Sequence, residues 1–169
     1  MSCSDTVGSV LKRIKPTARR RNRETHPGHF AIVASQYNAR YVNAMVTAAK
    51  RILVEAGVQN VPVVRVPGAF EIPAVVARMA HRHWPRLSAI ICLGVILRGE
   101  TTHARHIGEA VSNALAQIQI QYQIPIIHEV LLLENEAQAM VRCMSKEHNR
   151  GAEAAQTALA MARVMKGLP

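Results

Sequence analysis

Residues 30–35, FAIVAS, form a short apolar run that breaks into the polar QYN, a pattern that predicts a buried strand running into a loop. The period then changes. Val42, Met45, Val46, Ala49, Ile52 and Leu53 recur at helical spacing through residues 39–57, and Gly57 closes that helix. VPVVRVPG (61–68) is β-branched and extended, with Pro67-Gly68 as its punctuation. EIPAVVARMAHRHW (71–84) resumes a helical period and carries Pro73 in its first turn, where proline costs little.

LSAIICLGVIL (87–97) is continuously apolar, as expected of a central parallel strand covered on both faces. A helix is predicted over 104–123, a strand over 124–133, and two closing helices from EAQAMVRCM and GAEAAQTALAMARVMKG. Strands alternating with helices predict an α/β sandwich around a parallel sheet. No internal repeat or linker divides the chain.

In such sheets, ligands bind outside the carboxyl ends of the strands. That directs attention to Gln36-Tyr37-Asn38, to Gly68-Ala69-Phe70-Glu71, to GVILRGETTHARHI (94–107) and to Leu131–Asn135. Together they offer an aromatic pair, carboxylates, hydroxyls, a histidine and backbone donors, a mixture suited to a flat polar heterocycle beside an anion.

Composition narrows the class. The 169 residues suffice for one domain with a substantial core. No apolar run is long enough to span a membrane, and the N-terminus lacks the apolar core of a secretory signal. Cys3, Cys92 and Cys143 are too scattered for a disulfide framework or a CxxC zinc site, so a reducing cytoplasm is the expected compartment. The net charge is +10, and half of the excess lies in residues 1–30, where seven basic residues face two acids. Residues 1–28 show no apolar periodicity and are expected to be a disordered basic arm, leaving residues 29–169 as the folded domain. Aromatic residues are scarce at 4%, so Tyr37, Phe70 and Trp84 matter wherever they are exposed.

Within GETTH (99–103), a glycine-bearing turn opening a helix aims unpaired N–H groups outward, and the helix dipole adds positive potential suited to phosphate. The plainer alternative is a loop with threonine capping the helix. His103 stands at that mouth, where an imidazole can both take and give a proton near neutrality. Phe70 and Tyr37 suit stacking on a planar ring, with Glu71 as an acceptor, although Phe70 also reads as core and Glu71 as a dipole-favoured acid at a helix start. Arg142 has the forked geometry that grips phosphate, on a helix where a solvated arginine is the ordinary case. The chain has no GxGxxG and no GK[ST], which excludes the usual dinucleotide and P-loop signatures.

Four pieces in order, QYN, VPGAFEIP, GVILRGETTH and EAQAMVR…NRGAEAA, resemble the lumazine synthase (6,7-dimethyl-8-ribityllumazine synthase) family over residues 29–166. The resemblance implies a flavodoxin-like three-layer α/β/α sandwich on a four-stranded parallel sheet. It further implies a transferase of riboflavin biosynthesis with two small-molecule substrates and neither cofactor nor metal. That enzyme condenses 5-amino-6-(D-ribitylamino)uracil with L-3,4-dihydroxybutan-2-one 4-phosphate, giving the lumazine, phosphate and water. By position, Tyr37, Ala69, Phe70, Glu71, Val95, Ile96, Leu97 and His128 match the site of the ribitylaminouracil. Glu100, Thr101 and Arg142 match the phosphate site, and His103 matches the catalytic histidine. In the family, Arg142 and His128 would come from a neighbouring subunit, so the resemblance implies a homopentamer with sites between subunits. Icosahedral shells of about 60 subunits and association with riboflavin synthase are further family traits.

The chain departs from the family pattern at several positions. His128 replaces a phenylalanine, Glu100 sets an acid beside the phosphate, and Arg105 stands where an acid is usual, a cation that disfavours an imidazolium nearby. Glu129 and the Leu132-Leu133 pair replace small and hydroxyl residues, and EHN (147–149) replaces a glycine-containing turn without an insertion. Two other readings follow. One is a catalytically weakened relative that binds flavin or lumazine or builds a shell. The other is a nucleic-acid-binding module led by the basic arm, whose affinity would fall steeply with salt.

Overall fold

The computed structural model describes residues 27–82 and 86–169; the expected arm, apart from Pro27 and Gly28, lies outside the described residues, as do Cys3 and Trp84. Four strands, β1 (Phe30–Ser35), β2 (Val63–Val66), β3 (Ala89–Leu97) and β4 (Ile126–Leu133), form one sheet in the order β2-β1-β3-β4. Every pair is parallel, with Phe30 opposite Ala89, Ile32 opposite Val63 and Leu97 opposite Leu133. Between them run α1 (Ala39–Glu55), α2 (Ile72–His81) and α3 (His103–Tyr122). After β4 come α4 (Glu136–Ala139), a π-helical turn (Met140–Met144) and α5 (Arg150–Gly167).

The continuous apolar run of β3 is explained by its place between β1 and β4. Ala89, Ile91, Leu93 and Val95 pack with Met45, Val46, Ala49, Ala155 and Ala158 on the face of α1 and α5. Ile90 and Cys92 pack with Val76, Val111 and Leu115 on the face of α2 and α3. The strand must therefore be apolar on both sides, and three layers result.

The α1 residues expected to face inward do so, except that Ile52 is only half-buried. Gly57 adopts a φ of +89° just past the helix, the left-handed closure that glycine permits without strain. At the other end of this layer α5 lies so close to α1 that a Cβ on Gly151 would overlap the backbone carbonyl of Met45. Asn149 caps α5 by accepting from the N–H groups of Gly151 (2.9 Å) and Ala152 (3.2 Å).

EAQAMVRCM does not form one regular helix. A single α turn passes into a π turn, which brings both Ala139 and Cys143 to full burial while Met140, Val141 and Arg142 stay outside. The buried Asn149 amide donates to the Cys143 carbonyl and so satisfies a group the widened turn leaves over.

Candidate functional site

The chain leaves β1 toward α1 on one face of the sheet and leaves β3 toward α3 on the other. The adjacent ends of β1 and β3 are therefore a topological switch point, where a crevice opens at the carboxyl edge. Asn38 bridges it. Its backbone is left-handed, with φ 55°, and its amide Nδ2 donates to the Val95 carbonyl at 2.8 Å.

On the β1 side, the N–H of Gln36 donates to the Val66 carbonyl (2.8 Å) and that of Tyr37 to the Pro67 carbonyl (3.1 Å), joining the loops after β1 and β2. The Tyr37 ring is 73% exposed, with its Cδ2 only 3.3 Å from where a Cβ on Gly68 would stand. Phe70 is 61% exposed, so it is not core. An aromatic side chain left outside forgoes about 1.5–3 kcal/mol of burial, and two neighbouring loops presenting such rings make a stacking surface. Glu71 is the residue before α2, and its Oε2 accepts from the Gly68 N–H at 2.8 Å, folding GAFE into a fixed turn. The dipole-favoured acid is thus also a brace for the loop that displays Phe70.

On the β3 side, Val95 points into the core and Ile96 and Leu97 are half-buried, so this strand end presents backbone more than side chain. Glu100, Thr101 and His103 are all exposed. Capping is done by Thr101, not Thr102: Thr101 Oγ1 accepts the His103 N–H at 3.4 Å, and Thr102 makes no side-chain cap. The first-turn N–H groups of α3 point outward with the dipole, an arrangement fit for an anion. His103 is the first residue of α3. Arg105 leans one turn along the helix to Glu109 (Nε to Oε1 3.5 Å), which partly offsets its charge beside His103.

The remaining two predicted residues lie elsewhere. Arg142 is exposed on the π turn, in a cleft of 790 Å³ lined by Leu133, Asn135, Ala137, Gln138, Val141 and His148. Tyr37, Phe70 and His103 do not line that cleft. His128 sits in mid-β4 opposite Cys92, five residues and about 16 Å short of the strand's carboxyl end. Its Nε2 lies 2.9 Å from Ser112 Oγ. One chain therefore sets Tyr37, Phe70, the turn before α3 and His103 along one edge, with His128 back in mid-strand and Arg142 in a separate cleft. Both stand on or just beyond β4, which among the described residues pairs with β3 alone.

Two contributors, Asn38 and Ser112, were missed as individual residues by sequence reasoning, and Glu71 was named without its bracing role. Asn38 belonged to the quoted QYN, and an asparagine beside a strand end is a known left-handed candidate, yet its partner lies 57 residues away. The Glu71 brace had a local signal, a carboxylate three residues after glycine. Ser112 had none.

Other chemistries are poorly served. Burial pushes the Cys92 thiol far up, and burial with the Glu129 charge pushes Cys143 up to about 11, so neither supplies a thiolate near neutrality. Among the described residues, no cluster of three or more His, Cys, Asp or Glu is placed to hold a metal ion, and no helix is long and apolar enough to cross a membrane. Ser35 Oγ, fully buried beneath the β1 end, has no hydrogen-bond partner among the described residues.

Comparison with known proteins converges on one family. The sequence model of 6,7-dimethyl-8-ribityllumazine synthase matches residues 27–166. The chain is 36% identical over 149 residues to the 6,7-dimethyl-8-ribityllumazine synthase of Stenotrophomonas maltophilia (strain R551-3), covering 87% of this chain and 95% of that protein. It is 40% identical over 144 residues to the enzyme of that name from Xylella fastidiosa (strain 9a5c), covering 83% of this chain and 91% of the relative. With the enzyme of that name from Xanthomonas campestris pv. campestris (strain B100) the identity is 38% over the same shares.

Proposed function

This chain belongs to the 6,7-dimethyl-8-ribityllumazine synthase family, and we propose that the edge between β1 and β3 is where it condenses 5-amino-6-(D-ribitylamino)uracil with 3,4-dihydroxybutan-2-one 4-phosphate. The observation that carries this reading is the pairing, on one carboxyl edge, of two exposed aromatic rings with a histidine-bearing helix N-terminus. Tyr37 and Phe70 stack on the pyrimidine, and the braced Ala69–Glu71 turn meets its ribityl chain. The Val95–Leu97 strand end offers backbone groups to the uracil. The α3 N-terminus, with the N–H groups of Glu100 and Thr101, receives the phosphate.

The reaction is an amine attack on the ketone with loss of water, elimination of inorganic phosphate, and ring closure with loss of a second water. Each step moves a proton. His103 at the helix mouth is placed to take one from the attacking amine and to return one to the departing oxygen. Phosphate is a good leaving group once its charge is held by oriented donors. Holding two substrates side by side supplies a large share of the acceleration.

Arg142 and His128 complete the site from a neighbouring copy. Support comes from their separation from His103 within one chain and from the apolar Leu132, Met140 and Val141, exposed beside them. A ring of five subunits suits a heterologous contact of this kind, and a cytoplasmic pentamer, closing further into a shell and able to associate with riboflavin synthase, is the assembly we infer. Residues 29–169 are its catalytic domain and residues 1–28 a basic extension of it.

The test is to mix the purified protein with both substrates and follow lumazine absorbance together with phosphate release. One phosphate per lumazine is expected. No product, with no binding of a ribityl-pyrimidine analogue, would sink the reading. Particle mass in solution separates the pentamer from the shell.

A further inference from the structure

His128 does not stand alone on β4. Its Nε2 lies 2.9 Å from Ser112 Oγ on α3, and the same hydroxyl donates to the Gly108 carbonyl, one helical turn back, at 2.8 Å. A serine hydroxyl has one hydrogen. With that hydrogen committed to Gly108, Ser112 can only accept from the imidazole, so Nε2 carries the proton. A neutral imidazole protonated at Nε2 has a bare Nδ1, which is an acceptor.

Ser112, though not His128, lines a groove of 380 Å³ between α3 and β4 together with Arg105, Gly108, Glu109, Val130 and Leu132, and His128 reaches Ser112 from the same face of β4 as Val130 and Leu132. Gly108 faces Leu132 across that groove, where a Cβ would meet Leu132 Cδ2 at 3.7 Å, an ordinary contact distance. His128 is half-buried, and Ser112 is exposed on the groove wall.

We propose that Ser112 is a positioning residue, fixing His128 as the Nε2–H tautomer so that Nδ1 accepts a hydrogen bond from the ribitylaminouracil. The inference rests on the reading of His128 as part of that substrate's site in a neighbouring copy. The chemistry matches the pyrimidine better than its partner, which has one hydroxyl donor. The pyrimidine carries amino, ring N–H and ribityl hydroxyl donors, whereas the phosphate end of its partner is acceptor-rich. His128 thus contributes a directional polar contact, not only a flat surface, and Ser112 decides which way it points.

The experiment uses the full chain in its assembled state, with ¹⁵N-labelled histidine, and compares wild type, Ser112→Ala, Ser112→Thr and His128→Phe. Ring-nitrogen chemical shifts report the tautomer directly. Wild type is expected to show a protonated Nε2 and bare Nδ1 at His128, and Ser112→Ala a mixture. Loss of one neutral hydrogen bond should raise KM for the ribitylaminouracil about 3- to 10-fold in Ser112→Ala and His128→Phe, with kcat and KM for the butanone phosphate within about twofold. Ser112→Thr, which keeps a hydroxyl able to bond one turn back, should restore both tautomer and KM.

Should Ser112→Ala fail to assemble, Ser112→Thr and His128→Phe still decide the matter. His128→Phe with a wild-type KM overturns the inference, as does Ser112→Ala with an unchanged tautomer or an unchanged KM. A wild-type protein that forms no lumazine overturns the proposed function and the substrate half of this inference together. Normal wild-type turnover with an indifferent Ser112→Ala overturns the inference alone.

Discussion

The β1–β3 edge and the free flank of β4 carry the same kind of residue in opposite states of completion. At the β1–β3 edge, loops from three different strands are stitched into one surface by Asn38 to Val95, Tyr37 to Pro67 and Glu71 to Gly68. On the β4 flank, Arg142 opens into its own cleft and His128 looks toward α3, while the strand ends are joined by the Arg98 N–H donating to the Leu133 carbonyl at 2.8 Å and by the Arg98–Glu134 ion pair at 2.9 Å. That ion pair is more than half exposed on both sides, which makes it worth under about 1 kcal/mol. In the proposed assembly, the first region is one half of the site and the second is the half presented to a neighbouring copy.

The strongest way to break this division is to disable each half in a different chain. His103→Ala should lower kcat about 100-fold, the low end for a lost acid–base group since this histidine is exposed, and Arg142→Ala should lower kcat/KM for the phosphate substrate by a similar factor. Refolding the two variants together at equal amounts should then restore about a quarter of wild-type activity, because in a ring with shared sites one interface in four pairs an intact His103 with an intact Arg142. Two variants that stay inactive when mixed would show that each site is made within one chain.

The frame behind Arg142 offers the next test. Gly151→Ala forces a methyl into the Met45 carbonyl where α5 crosses α1, and such overpacking costs about 1–3 kcal/mol. Thermal unfolding should drop accordingly. Because α5 anchors the π turn through Asn149 and Cys143, KM for the phosphate substrate should rise while that for the pyrimidine holds. Equal changes in both would mean that the two regions are not mechanically separate.

A smaller effect sharpens the β1–β3 half. Tyr37→Ala and Phe70→Ala each remove one stacking ring and should raise KM for the ribitylaminouracil about tenfold, with folding stability nearly unchanged because both rings are exposed. Loss of stability in Phe70→Ala would mean that the ring is structural after all.

The same contrast explains what was legible in the sequence. Period and punctuation placed every strand and the four long helices within a few residues, because β3 must be apolar on both faces and α1 on one. The carboxyl-edge rule located Tyr37, Phe70 and His103 from strand ends alone. What escaped depends on distant pairing. The π turn is braced by Asn149 reaching back to Cys143, and the turn that displays Phe70 is braced by Glu71. Neither follows from helical periodicity. The Ser112–His128 contact joins a helix and a strand whose separate patterns give no hint of it. Arg142 was identifiable only through family resemblance, since by pattern it is one more arginine on a helix.

The smallest expected effect concerns Glu129, where the β4 flank places a carboxylate on the α5 side of the sheet, near Arg142. Burial raises its pKa above the ordinary carboxylate value. The positive charge of Arg150 opposes the rise, Glu153 adds to it, and Arg142 opposes it more weakly. An acid whose folded pKa is raised binds its proton more tightly in the folded state than in the unfolded chain. It therefore costs nothing below the ordinary carboxylate range. It takes stability away as pH rises from there through the raised folded value, and keeps that cost at neutral pH. Glu129→Gln removes the ionisation and keeps the size. The variant should unfold at a slightly higher temperature than wild type at neutral pH, and the gap should close as pH falls below the ordinary carboxylate value. Unfolding curves of the two proteins across this range make the check. Parallel curves would mean that the carboxylate is solvated as freely in the fold as out of it, and that the β4 flank carries its charge without cost.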